Sequence, residues 1–212
     1  MENITTKLLE DVVAYYDEKL AQHGPTPQGV DWNGEERQTI RFEQLCKIIA
    51  PKTTNFCMND LGCGYGALLE YLWGRHEAFT YLGVDVSNEM IKTARQTHPA
   101  SDQARFITSA EPDQMAEYGV ASGIFNVRLG QSDSEWFKYL QATLDILDRT
   151  SSLGFAFNCL TSYSDEEKKR NHLYYADPLR LFDLCKQRYS PQVALLHDYE
   201  LYEFTILVRK LP

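Results

Sequence analysis

The sequence predicts an α/β fold: a doubly wound, seven-stranded sheet, mostly parallel with an antiparallel C-terminal strand, preceded by N-terminal helices. Three observations predict it. Short apolar strand patterns alternate with amphipathic helical patterns from Phe56 to Arg188. A glycine-rich turn, Gly62-Cys63-Gly64-Tyr65-Gly66, separates the first strand from its helix. The last two strands, Val193–His197 and Leu201–Arg209, are joined by about three residues, far fewer than the dozen or so that a parallel crossover needs, so they run antiparallel. A chain of 212 residues is enough for one good core.

From Thr5 to Ala21 the apolar residues Leu8, Leu9, Val12, Val13, Tyr16 and Leu20 recur at helical spacing, with Asn3, Thr5 and Thr6 as N-cap candidates. His23 to Arg37 follows, a glycine- and proline-containing loop anchored by Trp32, which is placed to act as a lid over a bound substrate. Gln38 to Ala50 forms a second helix, stopped by Pro51, with Ile40, Leu45, Ile48 and Ile49 toward the core. Phe56–Leu61 and Tyr81–Val86 are the first two strands, with a helix beginning near Ala67 between them. Ser87 caps the helix Asn88–Thr97. Arg105–Thr108 and Tyr118–Ala121 are the third and fourth strands. An amphipathic helix, Asp133–Thr150, then presents Trp136, Leu140, Leu144 and Leu147 on one face. Leu153–Cys159 is the fifth strand, and Pro178–Arg188 is a helix after a charged and aromatic excursion from Leu160 to Ala176.

The glycine turn carries the chemistry. Glycines there allow positive φ and let a ligand approach the backbone, and the following helix aims free amides at the same place. Asp85, at the end of the second strand, is placed to accept hydrogen bonds from two ribose hydroxyls. Gly62, Gly64, Ala67 and Asp85 therefore also satisfy the dinucleotide fingerprint of nucleotide-dependent oxidoreductases. Asp60 favours a different guest. An acid at the entrance of the turn suits a cationic ligand and sits badly beside a pyrophosphate.

The complete pattern, Asp60-Leu61-Gly62-Cys63-Gly64-Tyr65-Gly66, resembles the class I S-adenosylmethionine-dependent methyltransferases. The resemblance implies a Rossmann-like sheet closed by an antiparallel hairpin strand, and S-adenosylmethionine as cofactor. It places Asp60 at the amino-acid end of the cofactor, with Gly62, Cys63, Gly64 and Gly66 beneath it and Asp85 on the ribose. Val86 and Met90 are expected against the adenine, with Ala110 or Glu111 where the family usually has an acid for the adenine amino group. Ser122 and Gly123 are expected at the methionine end, and Arg41 at its carboxylate. The resemblance turns Phe125, Asn126 and Arg128 toward the acceptor, and Trp32 and Tyr174 are candidate acceptor contacts beside them. No catalytic residue is assigned; His172, His197 and Asp31 are the candidates should a base be needed. Residues 1–53 are expected to form helices and a lid-like loop packed on a cofactor-binding domain over 54–212.

Composition narrows the acceptor. A net charge of -9 disfavours a polyanion, so nucleic acid is not expected as substrate. The stretch Ser122-Gly123-Ile124-Phe125-Asn126 lacks the N/D-P-P-Y pattern of amide and adenine methylation and the Pro-Cys pair of cytosine-carbon methylation. A small-molecule methyl acceptor remains, with a noncatalytic cofactor-binding module as the alternative. Cys46, Cys57, Cys63, Cys159 and Cys185 form no CxxC pair or zinc spacing, so no metal is expected and the thiols suit a reducing, cytoplasmic compartment. No apolar run approaches the roughly 20 residues needed to span a membrane.

Overall fold

The computed structural model describes residues 2–98 and 101–210, the side chains of residues 2–7 aside, and has the expected sheet. Its strands are β1 (Asn55–Leu61), β2 (Ala78–Asp85), β3 (Ala104–Thr108), β4 (Ala116–Ala121), β5 (Ser151–Leu160), β6 (Gln192–Leu196) and β7 (Glu203–Arg209). They lie in the order β3-β2-β1-β4-β5-β7-β6. Every pairing from β3 to β5 is parallel, whereas β7 runs antiparallel to both β5 and β6. The chain moves outward from β1 to β3, then returns to β4 on the other side of β1. That reversal opens a crevice above the carboxyl ends of β1 and β4, where open α/β sheets bind ligands.

The helices are α1 (Glu2–His23), α2 (Glu35–Cys46), α3 (Ala67–Trp73), α4 (Asn88–Thr97), α5 (Asp133–Arg149) and α6 (Pro178–Arg188). Side chains alternate across the sheet and divide the core in two. Phe155, Phe157 and Cys159 of β5 join Trp136, Leu140, Leu144 and Leu147 of α5 and Leu181 of α6 on one face. Ala156 and Leu207 face the other way, toward Leu45 of α2, Leu69 of α3 and Ile91 of α4.

Caps set where helices begin. Ser87 Oγ accepts from Met90 N at 3.0 Å to open α4, and Ser132 with Glu135 forms a capping box on α5. Asp177 accepts from Leu179 N and Arg180 N to open α6, with Pro178 in its first turn. Two helices differ from expectation at both ends, α1 opening at Glu2 rather than near Thr5. α1 runs on to His23, because Gly24 takes a φ of +66° and returns its amide to Leu20 O at 2.8 Å, closing the last turn. α2 starts at Glu35 and stops at Cys46; beyond it Ile48 N and Ile49 N bond three residues back, so the segment before Pro51 tightens while both isoleucines stay buried.

Candidate active site

The turn after β1 is fixed by β2. Gly62 N and Cys63 N both donate to Val84 O, at 2.7 and 3.1 Å. Asp85 then binds the turn with both oxygens: Oδ2 accepts from Gly64 N and Oδ1 from Ser87 N, each at 2.9 Å. Burial raises this carboxyl above its ordinary range, and the Ser87 and Gly64 amides oppose that rise. Gly62 has a φ of +77°, and a Cβ there would lie 2.1 Å from Ile124 Cγ2. Gly62→Ala is therefore expected to lose about 1–3 kcal/mol of stability, read as a lower urea midpoint.

These groups line a cavity of about 170 Å³. Of the residues singled out in the sequence, Gly62, Gly64, Asp85, Val86, Met90, Ala110, Ser122 and Gly123 form its floor and sides, and Trp32 closes one edge. The rest of its wall was not assigned from the sequence. Leu9, Val12, Val13 and Tyr16 of α1 cover the cavity, Val30 closes the loop side, and Tyr139, Ala142, Thr143 and Ile146 of α5 form its far wall. Signals for both helices were present. The apolar stripe of α1 had to face something, and Tyr139, Thr143 and Ile146 recur at helical spacing beside the core stripe of α5. Tyr15 OH and Lys19 hold Asp31 at 2.7 and 3.1 Å, and Ser87 Oγ meets Asp17, so α1 is tied to the loop and to the β2–α4 turn.

Several expected positions differ. Asp60 does not line the cavity; it is buried beneath the turn and accepts a hydrogen bond from Tyr81 OH at 2.6 Å. Burial pushes its carboxyl up to about 7, against the Tyr81 hydrogen bond and with the negative Asp85 adding to the rise. Cys63 and Gly66 belong to the turn without lining the cavity, and Gly66 instead packs on the His98 ring. Arg41 is not free for a carboxylate, because its guanidinium is paired with Glu203 at 2.5 Å. Glu111 points outward to Arg149, leaving Ser109 and Ala110 at the cavity.

The expected acceptor side is mostly structural. Phe125 is fully buried against Tyr139 and Phe157, and its carbonyl accepts from Trp136 Nε1 at 2.8 Å. Asn126 Oδ1 accepts from Leu160 N at 3.0 Å, and Arg128 donates to Gln131 O and Leu173 O at 2.6 and 3.2 Å. Tyr174 lines a separate polar groove beside Arg180. None of the four lines the cavity. The candidate bases are likewise outside the cavity lining: His172 lies near Tyr15, His197 between Tyr163 and Phe204, and Asp31 is held by Tyr15 and Lys19.

The residues present fit a nucleoside cofactor. Ser122 Oγ is buried in the cavity wall with no hydrogen-bond partner, and Asp85 is the cavity's acid. An α/β enzyme with a nucleoside-cofactor crevice is the class that fold and site define.

Comparison with known proteins makes it particular. A family model described as a methyltransferase domain matches residues 59–149. The "Putative methyltransferase Rv1506c" of Mycobacterium tuberculosis is 61% identical over 155 residues, which are 73% of this chain and 93% of that one. Among solved structures, magnesium protoporphyrin IX methyltransferase from Synechocystis PCC 6803 with bound SAH is similar at a TM-score of 0.66 and 11% identity, over 97% of this chain and 99% of that one. Human N-acetylserotonin methyltransferase in complex with SAM is similar at a TM-score of 0.59 and 16% identity, over 82% of this chain. This chain spans only 53% of the human one. The chain belongs to the methyltransferases, and its fold is that of the class I, S-adenosylmethionine-dependent enzymes. Among the described residues, no helix is long and apolar enough to cross a membrane.

Proposed function

We propose that the protein transfers a methyl group in line to a small, largely apolar and uncharged acceptor. The observation that carries this reading is the cavity wall. Among the described residues that line it, Asp85 is the only charged side chain, and α1, Val30 and α5 add an apolar surface broken by tyrosine and threonine hydroxyls. Such a wall offers an anionic acceptor no cationic side chain to pair with.

The site residues divide between the two partners. Asp85 would hold the ribose, Val86, Met90 and Ala110 the adenine, and Ser122 with the Gly62–Gly64 turn the methionine end. Bound there, the cofactor supplies a methyl group activated by its sulfonium. The chain's own contribution is to align the acceptor and exclude water, which is worth about 7–11 kcal/mol in favourable cases. Burial raises the hydroxyls of Tyr16 and Tyr139, the latter to about 12, so neither ionises near neutrality. The acceptor is then a nucleophile that carries its own lone pair or loses its proton to solvent.

Residues 1–53 form the cap in this reading and 54–212 the cofactor-binding domain. The free thiols of all five cysteines support a reducing compartment such as the cytoplasm.

The test is incubation with methyl-labelled S-adenosylmethionine and fractionated cell extract. Label is expected in an apolar, low-mass fraction. Label found in nucleic acid or protein would overturn the small-molecule acceptor.

A further inference from the structure

A buried chain of polar contacts joins the C-terminal hairpin to the edge of the cavity. Glu203, the first residue of β7, is 2% exposed and accepts from Arg41 Nε at 2.8 Å and from Arg41 Nη2 at 2.5 Å. Its Oε2 also accepts from Asn158 Nδ2 at 3.1 Å. That bond orients the buried Asn158 amide, so Oδ1 faces the other way and accepts from Gly123 N at 2.7 Å. On the remaining side, the Arg41 guanidinium lies over the Trp32 ring, 4.5 Å from its centroid. Trp32 in turn rests on Gly123, where an added Cβ would come within 2.9 Å of Trp32 Cζ2. The contacts close a ring: Gly123, Asn158, Glu203, Arg41, Trp32 and Gly123 again.

A buried ion pair is poor evidence for stability, since an apolar pair of similar volume is often as stable or more so. What this pair does supply is direction. It fixes which way the Asn158 amide points, and thereby gives the Gly123 N–H its acceptor. It also holds a planar cation against the one tryptophan that lines the cavity. Gly123 and Trp32 are both cavity wall, beside the unpartnered Ser122 hydroxyl.

We propose that Glu203, Arg41 and Asn158 are positioning residues that hold Trp32 and the Ser122–Gly123 turn in the geometry that binds the methionine end of the cofactor. The proposal rests on the assignment of this cavity to S-adenosylmethionine.

The experiment separates positioning from folding. In the double variant Arg41→Met, Glu203→Leu the ion pair becomes an apolar contact. It is expected to unfold cooperatively, somewhat below wild type because the buried Asn158 Nδ2 loses its acceptor, yet to bind S-adenosylhomocysteine at least tenfold more weakly by calorimetry. Trp32→Ala is expected to lose a similar factor, and the triple variant to bind no more weakly than Trp32→Ala alone, because both changes act through one ring. A double variant that binds within twofold of wild type overturns the proposal, as does a triple variant that loses the product of the two factors. Should the double variant not fold, Asn158→Ala cuts the links to Gly123 and to Glu203 and leaves the Arg41–Glu203 ion pair in place. A tenfold loss there upholds the proposal, and wild-type affinity overturns it. Wild-type protein that bound no S-adenosylhomocysteine would instead remove the cofactor assignment, before any variant is compared.

Discussion

Asp85→Ala is expected to weaken S-adenosylhomocysteine binding on the order of 100-fold, through two losses that share one carboxylate. A carboxylate offers about four acceptor positions. Two of these are used by Gly64 N and Ser87 N, which leaves the others toward the cavity that Asp85 lines. Alanine removes the acceptors for the ribose hydroxyls, with hydrogen bonds to a charged group worth about 1.5–3 kcal/mol each. It also releases two amides that hold the glycine turn in shape. Asp85→Asn separates the effects: one oxygen still accepts a backbone bond, while its NH2 meets the other N–H donor to donor. Calorimetry with the ligand, alongside urea unfolding, measures both. Affinity within threefold of wild type for the alanine variant would remove Asp85 from the ribose.

The second large effect is on stability against pH, and it belongs to Asp60. Its carboxyl titrates near 7 in the fold against an ordinary value of 3.8, because burial disfavours the charge. Between those two values the folded protein keeps a proton that the unfolded chain has lost. The resulting cost is absent below about pH 4, grows as pH rises, and is complete above about 7, where it is on the order of 4 kcal/mol. Asp60→Asn removes the titration and keeps an oxygen for Tyr81 OH. The variant is expected to gain relative to wild type by roughly 8–16 °C more at pH 8 than at pH 4, which paired melting curves would measure. A difference independent of pH would mean that Asp60 titrates normally. His98, whose buried ring is shifted downward, acts in the opposite sense at low pH in both proteins and cancels from the comparison.

The fold was legible where the chain is punctuated. Ser87 and the Asp177-Pro178 pair give α4 and α6 the same bounds in sequence and structure, whereas α2, which opens on Gly34 with no side-chain cap, began earlier than its apolar pattern suggested. The floor of the cavity was legible too, because Gly62 and Gly64 lie in the one turn after β1 and Asp85, at the end of the adjacent β2, bonds directly to that turn. The rest was not. It comes from α1 and α5, far apart in sequence, and only packing brings their second apolar faces to one cavity. Phe125, Asn126 and Arg128 were misdirected because side-chain direction after β4 depends on the turn at Gly123, which has a φ of +75°. Arg41 was placed on the right helix, but its partner lies 162 positions away.

The position of β7 has a consequence for how the protein is made. It is the last strand in chain order, yet it lies between β5 and β6 rather than at a margin. A chain emerging at about 5–20 residues per second therefore has β1 to β5 and their helices available while β5 still presents an unpaired edge, open to association with another chain. β6 cannot shield that edge, because its own partner is β7. Glu203 arrives with the same strand. Enclosure of the sheet and the anchoring of Arg41 are thus completed in one late step, and a nascent chain stalled before β7 would be sticky and leave Arg41 without its partner.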